Sequence, residues 1–293
     1  MEKKIFALGF FDGVHRGHQA LLAACRELAA VTGHTPAAVT FDRHPQSLFT
    51  SCPPLLLTTL ECRQQLLRQY GMAHITVIPV TEATMAMEWE AFLEKLIAQG
   101  AVGFVCGDDF RFGYRGSGNA EMLRRFCIKR GLPCMVVAQQ ALDGVRISSS
   151  HIRSLLEAGE MAQAVRFLGH PYYLSGEVVH GRGLGHTMGI PTANVEIPRE
   201  VLHPRFGVYA CHARVDKTVY LAVTNVGTRP TVGGHRITVE PWLLDYSGNL
   251  YGKKLTLAFY EFLRPEQKFS SLEELKAEIQ KNATQTREIL GKN

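Results

Sequence analysis

The pattern of apolar residues along the chain changes once, near Tyr172, and this change limits the folds open to it. In the first half, short apolar runs alternate with stretches of helical periodicity. Helices are expected near 17–31, 61–70, 88–99 and 119–130. The predicted strands between them are KIFALGF, AAVTF, HITVIPV, VGFVCG and PCMVVA. Strands separated by helices predict a parallel α/β sheet, with ligand sites at the carboxyl ends of the strands.

From Tyr172 onward, β-rich runs are separated by Gly, Pro and Asn, which is typical of a small antiparallel barrel. About six strands are expected, in YYLSGEVVHG, TANVEI, GVYACHARV, TVYLAVTNVG, RITVEPWLLDY and KLTLAFYEFL. Ser270 and Glu273 have the spacing of a capping box at the start of a final helix. Two short helices before the barrel join the halves. We therefore expect one domain over 1–168, including these helices, and a second over 169–293.

Composition narrows the class of protein. With 46% hydrophobic and 20% charged residues in 293, the chain is expected to be globular, with a core in each domain. The net charge of +5 comes from scattered Lys and Arg, which suits phosphate-bearing small molecules and argues only weakly for nucleic acid, so no nucleic-acid partner is expected. The seven cysteines form no CxxC pair, so we expect reduced, buried thiols. No run resembles a signal peptide or approaches the ~18 apolar residues of a membrane helix. A cytoplasmic protein without a membrane partner is expected, and its oligomeric state is left open.

The stretch FFDGVHRGHQ (10–19) follows the first predicted strand and places two histidines, His15 and His18, at the amino end of the first helix. Their spacing puts both imidazoles on one side of the helix, where free N–H groups and the helix dipole attract anions. This favours contact with phosphate. Capping or packing histidines remain an alternative, and a metal site is weaker because HRGH is not HExxH and no third ligand is evident.

Two later segments of the first half carry polar groups with more than one interpretation. GDDFRFG follows a predicted strand, so Asp109, Phe110 and Phe112 either form the wall of a ligand site or belong to a turn with core phenylalanines. In ISSSHIR, the hydroxyls and Arg153 at a helix start offer donors to a triphosphate. Ser149 and Arg153 would then stabilise charge on ATP and pyrophosphate; otherwise they are an N-cap and a surface arginine.

In the second half, the segment HGRGLGHTMGIPTANVEI (180–197) is the candidate nucleotide loop, because the chain has no G-x-x-x-x-G-K-[ST] sequence. Its glycines allow backbone amides to approach phosphate. Thr192 and Asn194 are oxygen ligands two residues apart on one face of a strand. A glycine-rich hairpin followed by an ordinary strand is the alternative.

Together these segments resemble the bacterial bifunctional riboflavin kinase/FAD synthetase family over essentially the whole chain. The first half matches in FDGVHRGH, TFDRHP, LLTT, GDDFRFG and ISSSHIR, and the second half in PTAN, NVGTRPT, TVEPWLLDYSGNLYG and FLRPEQKF. The resemblance implies a Rossmann-like HxGH nucleotidyltransferase domain followed by a riboflavin kinase barrel. It also implies that riboflavin is phosphorylated to FMN and that FMN is adenylylated to FAD with release of pyrophosphate, both from ATP with Mg²⁺.

The resemblance also implies roles for individual residues. Glu240 would be the general base on the ribityl 5′-hydroxyl of riboflavin, while His15, His18 and Arg153 would serve the adenylyl transfer. In the first half, ATP would be bound by Gly9, Phe11, His15, Gly17, His18, Ser148, Ser149 and Arg153. In the second half, ATP would be bound by Gly183, Gly185, His186, Gly189 and Thr192, with Mg²⁺ on Thr192 and Asn194. Flavin would be bound by Asp109, Phe110, Phe112, Asn225, Arg264, Glu266 and Phe269.

The kinase half departs from the family pattern at several positions. His186 stands where Arg is common, and Pro241 and Trp242 follow the glutamate position, where Pro suggests an edge or a bulge. An alternative is therefore an FMN adenylyltransferase whose barrel only binds a flavin or another partner. An RNA-binding barrel is a third possibility, but the strands lack a clustered basic and aromatic face.

Overall fold

The computed structural model describes residues 2–181, 189–231 and 234–291. By their internal contacts the residues divide into two compact units, Met1–Ser149 and Ser150–Asn293. Within the described residues, no helix combines the length and the apolar character needed to cross a membrane.

The first unit is built on a five-stranded parallel sheet with the order β3-β2-β1-β4-β7. The strands of this sheet are β1 (Lys4–Leu8), β2 (Thr35–Phe41), β3 (His74–Ile78), β4 (Ala101–Gly107) and β7 (Cys134–Val137). Two short pairs lie outside it, β5 (Arg111–Phe112) with β6 (Gly118–Asn119) and β8 (Ala141–Leu142) with β9 (Val145–Arg146). The helices of the first unit are α1 (Arg16–Thr32), α2 (Leu60–Gln69), α3 (Glu82–Met85), α4 (Trp89–Ile97) and α5 (Ala120–Arg130). The five expected strands and four expected helices are confirmed within two residues of their predicted bounds.

Helices cover both faces of this sheet. Phe6, Leu8 and Phe104 pack with apolar residues of α4 and α5 in one core. On the other face, the Cys25 thiol of α1 donates to the Ile5 carbonyl at 3.3 Å. β1 pairs with β2 on one side and with β4 on the other. Successive strands are therefore added first on one side of β1 and then on the other, and the strand order reverses between β1 and β4. Open α/β sheets leave a crevice for ligands at that point.

The second unit is a closed barrel with two helices before it and one after it. The helices are α6 (Ser149–Ala158), α7 (Met161–Leu168) and α8 (Leu272–Leu290). The strands are β10 (Tyr172–Val179), β11 (Asn194–Glu196), β12 (Gly207–Val215), β13 (Thr218–Thr231), β14 (Gly234–Leu243) and β15 (Lys254–Arg264). They close in the order β10-β11-β14-β13-β12-β15, with antiparallel pairing. The six predicted strands and the final helix are thus confirmed.

Two local expectations for the second unit were wrong. The N-cap of α8 is Ser271, whose hydroxyl accepts from Glu274 N–H, so the cap lies one residue beyond the predicted Ser270 and Glu273. Pro241 also lies on an internal strand whose register with β13 is continuous. Its carbonyl accepts from Ala193 N–H at 2.9 Å, so the missing proline N–H falls on the side of β11, where pairing is short.

The division by internal contacts places the two joining helices, α6 and α7, in the same unit as the barrel. The boundary at 168/169 assigns them to the first domain instead, and it stays a proposal. All seven cysteines are free, and five of them are buried. Cys52 is exposed and Cys134 half-buried, so the expectation of uniformly buried thiols was wrong for these positions.

Candidate active sites

The first unit has a cavity of about 260 Å³ at the carboxyl ends of β1 and β4. Its wall includes most of the first-half residues singled out from the sequence, namely Gly9, Phe11, His15, Gly17, His18, Asp109, Phe110, Ser148 and Ser149. The segments after the two neighbouring strands therefore meet at the sheet edge, as the crevice rule predicts.

His15 and His18 lie face to face in this wall. Their ring centroids are 3.6 Å apart and their planes differ by 13°. His15 Nδ1 accepts from His18 N–H at 3.3 Å, which makes His15 the N-cap of α1. The capping alternative is thus realised through Nδ1, and any ligand contact of the His15 ring falls to Nε2.

The His18 ring is neutral at pH 7. Burial lowers its pKa well below the usual value, and the charges of His15 and Arg63 lower it further. Its Nδ1 is buried and has no hydrogen-bond partner among the described residues. Because an unpaired buried polar atom is costly, this nitrogen in a cavity wall marks a place for a ligand.

Asp12, which the sequence reasoning passed over, connects three segments of this wall. It is 2% exposed. Its carboxylate accepts from Leu57 N–H at 2.9 and 3.0 Å, and from the N–H and hydroxyl of Thr58 at 3.1 and 3.2 Å. Its carbonyl accepts from the Ser149 hydroxyl at 3.0 Å. The LLTT segment is therefore a support for the histidine turn.

Arg63 is the largest fully buried side chain of the protein's described part and was also missed. It donates to the Phe41 carbonyl at 2.8 Å and to the Phe10 carbonyl at 3.3 Å, and its guanidinium lies 4.4 Å from the Phe10 ring centroid. Burial lowers its pKa to about 10, against the opposing charges of Asp12 and Asp42. It therefore remains a cation at pH 7. Its helical position gave no local signal of this role.

Of the other first-half candidates, some line the cavity and some do not. Asp109, exposed at the cavity, pairs with Arg146 of β9, a wall residue not anticipated. Phe110 lines the cavity and stacks on Phe112 at 5.5 Å. Phe112 itself is buried in the sheet core against α4 and does not belong to the wall. Arg153 belongs to the second unit.

The second unit has a cavity of about 380 Å³ between the barrel strands and α8. Its wall contains seven residues predicted for the kinase half, namely Thr192, Asn194, Asn225, Glu240, Arg264, Glu266 and Phe269. It also contains Arg229 and Trp242, which had been assigned no role. Gly189 is exposed with a φ of 71°. Gly183, Gly185 and His186 lie outside the described residues.

Strand register explains why distant positions meet in this cavity. Glu240 of β14 pairs with Asn225 of β13, which pairs with Val208 of β12, which pairs with Arg264 of β15. On the other side of β14, the pairing of Val195 with Val239 brings Asn194 beside Glu240. Side chains in one row of a sheet are neighbours, so one row brings these candidates together.

Two arginine contacts order the cavity wall. Arg229 Nη2 lies 2.6 Å from Glu240 Oε1, with side-chain exposures of 32% and 17%. Arg264 Nε donates to Asn282 Oδ1 of α8 at 3.0 Å, and burial lowers the pKa of Arg264 although Glu278 opposes this. The catalytic-base candidate is thus held by an arginine, and α8 is tied to the barrel.

Two glycines make room for these side chains. A Cβ at Gly181 would overlap the amide of Asn194, and a Cβ at Gly227 would overlap the carboxylate of Glu266. Any larger residue at either position would displace a polar group from the wall.

Comparison with known proteins agrees with this architecture. The family model of FAD synthetase matches residues 1–151, and that of riboflavin kinase matches residues 168–290. A bifunctional riboflavin kinase/FMN adenylyltransferase of Listeria monocytogenes is 33% identical over 99% of this chain and 93% of its own. The protein of the same name from Escherichia coli K12 is 36% identical over 98% of this chain and 93% of its own. A crystal structure from Streptococcus pneumoniae, titled a macrolide-efflux protein, superimposes with a TM-score of 0.88 at 26% identity, covering 98% of this chain and 94% of that one.

Proposed function

Because the chain belongs to the bifunctional riboflavin kinase/FMN adenylyltransferase family, we propose that its barrel phosphorylates riboflavin to FMN and that its α/β unit adenylylates FMN to FAD. Riboflavin, FMN and FAD are then substrate, intermediate and product, and ATP is consumed in both steps. The observation that carries this division is that the predicted residues of each half gather at a separate cavity, one in each unit.

In the α/β unit, the FMN phosphate attacks the α-phosphorus of ATP and pyrophosphate leaves. This chemistry needs positioning and charge stabilisation rather than a protein nucleophile. The neutral His18 offers a hydrogen bond to a phosphate oxygen, while the buried Arg63 supplies positive charge behind it. Ser148 adds a hydroxyl donor, while Ser149, whose hydroxyl donates to the Asp12 carbonyl, stays a proposed ATP contact at the start of α6. Gly9, Phe11, His15 and Gly17 complete the ATP wall, and Arg153 stays a proposed ligand of the leaving pyrophosphate.

The flavin of FMN is proposed to lie at the side of this cavity formed after β4. Phe110 offers a ring for stacking and Asp109 a hydrogen-bond acceptor. The burial of Phe112 supports only an indirect role, as the ring on which Phe110 stacks.

In the barrel, Glu240 is proposed to accept the proton of the riboflavin 5′-hydroxyl as this oxygen attacks the γ-phosphorus of ATP. Asn225, Arg264, Glu266 and Phe269 surround the same cavity and are the proposed flavin contacts. Gly183, Gly185, His186 and Gly189 remain proposed ATP contacts of the preceding loop.

Thr192 and Asn194 fit a magnesium ion that arrives with ATP. Both offer oxygen atoms to the cavity wall, and the bare backbone of Gly181 leaves room for the Asn194 amide. Mg²⁺ prefers oxygen ligands and is commonly held by few protein groups together with substrate phosphates. When bound, it would neutralise charge on the β- and γ-phosphates. The position of Asn194 beside Glu240, with Thr192 in the same cavity wall, supports this assignment.

A cytoplasmic location and a boundary near 168/169 complete the proposal. The free state of all seven cysteines supports a reducing compartment. The two family models support a boundary within the joining helices, because neither model matches 152–167.

One assay tests the proposed function. The purified protein is incubated with riboflavin, ATP and Mg²⁺, and riboflavin, FMN and FAD are separated by chromatography over time. The proposal expects FMN to appear first and FAD to follow. Conversion of supplied FMN without conversion of riboflavin would leave the barrel as a binding module and would refute the kinase assignment.

A further inference from the structure

Phosphoryl transfer from ATP requires positive charge near the phosphates, and this barrel has no P-loop lysine to provide it. In the described part of the barrel cavity, the cationic wall residues are Arg229 and Arg264. The two arginines differ in what holds them.

Arg264 is engaged by the protein itself. Its Nε donates to Asn282 at 3.0 Å and lies 3.5 Å from the Glu278 carboxylate, while Nη1 donates to the Pro265 carbonyl at 3.1 Å. These contacts fasten Arg264 to α8 and to its own loop. Moving its guanidinium to a phosphate would break these contacts with α8 and the loop.

Among the described residues, the Arg229 guanidinium is held at its end by the Glu240 carboxylate, at 2.6 Å. It shares the cavity-facing side of β13 with Asn225, because alternate residues of a strand point the same way. The position between them on this face is Gly227, whose missing side chain leaves room for the Glu266 carboxylate. A phosphate that takes the place of Glu240 would therefore need to break one contact of Arg229 among the described residues.

The partner of Arg229 is the group that must receive a proton. Guanidinium binds carboxylate and phosphate in the same forked geometry, so an arginine can exchange one for the other. We propose that Arg229 is a further catalytic residue of the kinase, which Glu240 holds before nucleotide binds and which contacts the polyphosphate of bound ATP. This inference rests on the kinase function proposed above.

The transfer step then balances without any further reactant. The riboflavin 5′-oxygen forms a bond to the γ-phosphorus while the bond from that phosphorus to the β,γ-bridging oxygen breaks. ADP leaves with the electron pair, and the hydroxyl proton passes to Glu240. Arg229 exchanges no proton; it leaves the carboxylate for the phosphate oxygens, which frees the carboxylate to act as base.

Steady-state kinetics of Arg229→Gln and Arg229→Lys test this role. Total FMN plus FAD formed from riboflavin is measured at varied ATP and at varied riboflavin, and FMN-to-FAD conversion is measured separately. Arg214→Gln is the matched control, because Arg214 is exposed on β12 and does not line the cavity.

For Arg229→Gln we expect kcat of the kinase to fall roughly 10²–10³-fold, as for loss of one charge-stabilising donor, and KM for ATP to rise. KM for riboflavin and the FMN-to-FAD rate should stay within about twofold of wild type. Arg229→Lys, which retains the charge, should recover part of the loss.

Two results would overturn the inference. One is a kinase kcat for Arg229→Gln within about threefold of wild type. The other is a lower kcat with unchanged KM for ATP and no recovery by lysine, which would mean that Arg229 only positions Glu240. A wild-type protein that forms no FMN would instead refute the kinase function itself, so the two failures are distinguishable.

Discussion

The Asp12 carboxylate accepts hydrogen bonds from both the backbone N–H and the hydroxyl of Thr58, at 3.1 and 3.2 Å. A buried, almost unexposed carboxylate therefore joins the histidine turn to the loop before α2. The turn it supports contains Phe11 and Val14 at φ of 58° and 40°, values that bulky residues adopt only when their surroundings enforce them. Asp12 is thus a support for the geometry of His15 and His18.

Asp12→Asn replaces one acceptor oxygen by an amide that can only donate. We expect a loss of about 1–3 kcal/mol in the free energy of unfolding, the usual cost of an unsatisfied buried group. The FMN-to-FAD rate should fall at least about tenfold, since small displacements of positioned groups are costly. Riboflavin phosphorylation serves as the internal control. An FMN-to-FAD rate equal to that of wild type would remove Asp12 from the positioning of the site.

His18 makes stability depend on pH. Its pKa is lowered in the folded state, mainly by burial, so below the unfolded value of about 6.5 the unfolded chain binds more protons than the folded one. The contribution of the neutral, buried His18 to the free energy of unfolding is present above about pH 6.5 and is lost as the pH falls below it. The free energy of unfolding, measured by urea titration between about pH 5 and 7.5, should depend less steeply on pH for His18→Asn than for wild type. Parallel curves for the two proteins would contradict a buried, neutral His18.

Asn194→Ala removes a proposed ligand of the magnesium ion. Because two protein oxygens are proposed to share this role, we expect the Mg²⁺ concentration for half-maximal riboflavin phosphorylation to rise about tenfold or more. The Mg²⁺ dependence of FMN-to-FAD conversion should not change, since Asn194 lines the barrel cavity only. Asn249→Ala, on an exposed loop, is the matched control. Equal Mg²⁺ dependence of Asn194→Ala and wild type would refute the assignment.

Much of the fold could be predicted from apolar periodicity, because each sheet strand and each barrel strand must bury one or both faces. The strand order β3-β2-β1-β4-β7 could not, since it depends on contacts between distant segments. The short strand pairs β5–β6 and β8–β9 could not be predicted either, because two residues are too few to show a periodicity. Ser270 and Ser271 are equally good caps by residue type, and only the backbone conformation selects Ser271.

The meeting of candidate residues in the two cavity walls was predictable where a motif marks them, as with His18 and Glu240. They were not predictable where burial decides the role. From the sequence, Arg63 would be expected on the surface of a helix, yet it is completely buried beneath the histidine turn. Phe112 and Phe110 are equivalent by sequence, and packing against α4 sends only Phe112 into the core. Arg229 acquires its partner through the register of β13 and β14.

The account's central claim is that each unit carries its own reaction, and Glu240→Gln tests it most directly. The substitution keeps the size of the side chain and removes the proposed base, so FMN formation from riboflavin should fall at least about 10²-fold. Conversion of supplied FMN to FAD, followed by chromatography in the same preparation, should stay within about twofold of wild type. If both rates fell together, the division of labour between the barrel and the α/β unit would be contradicted.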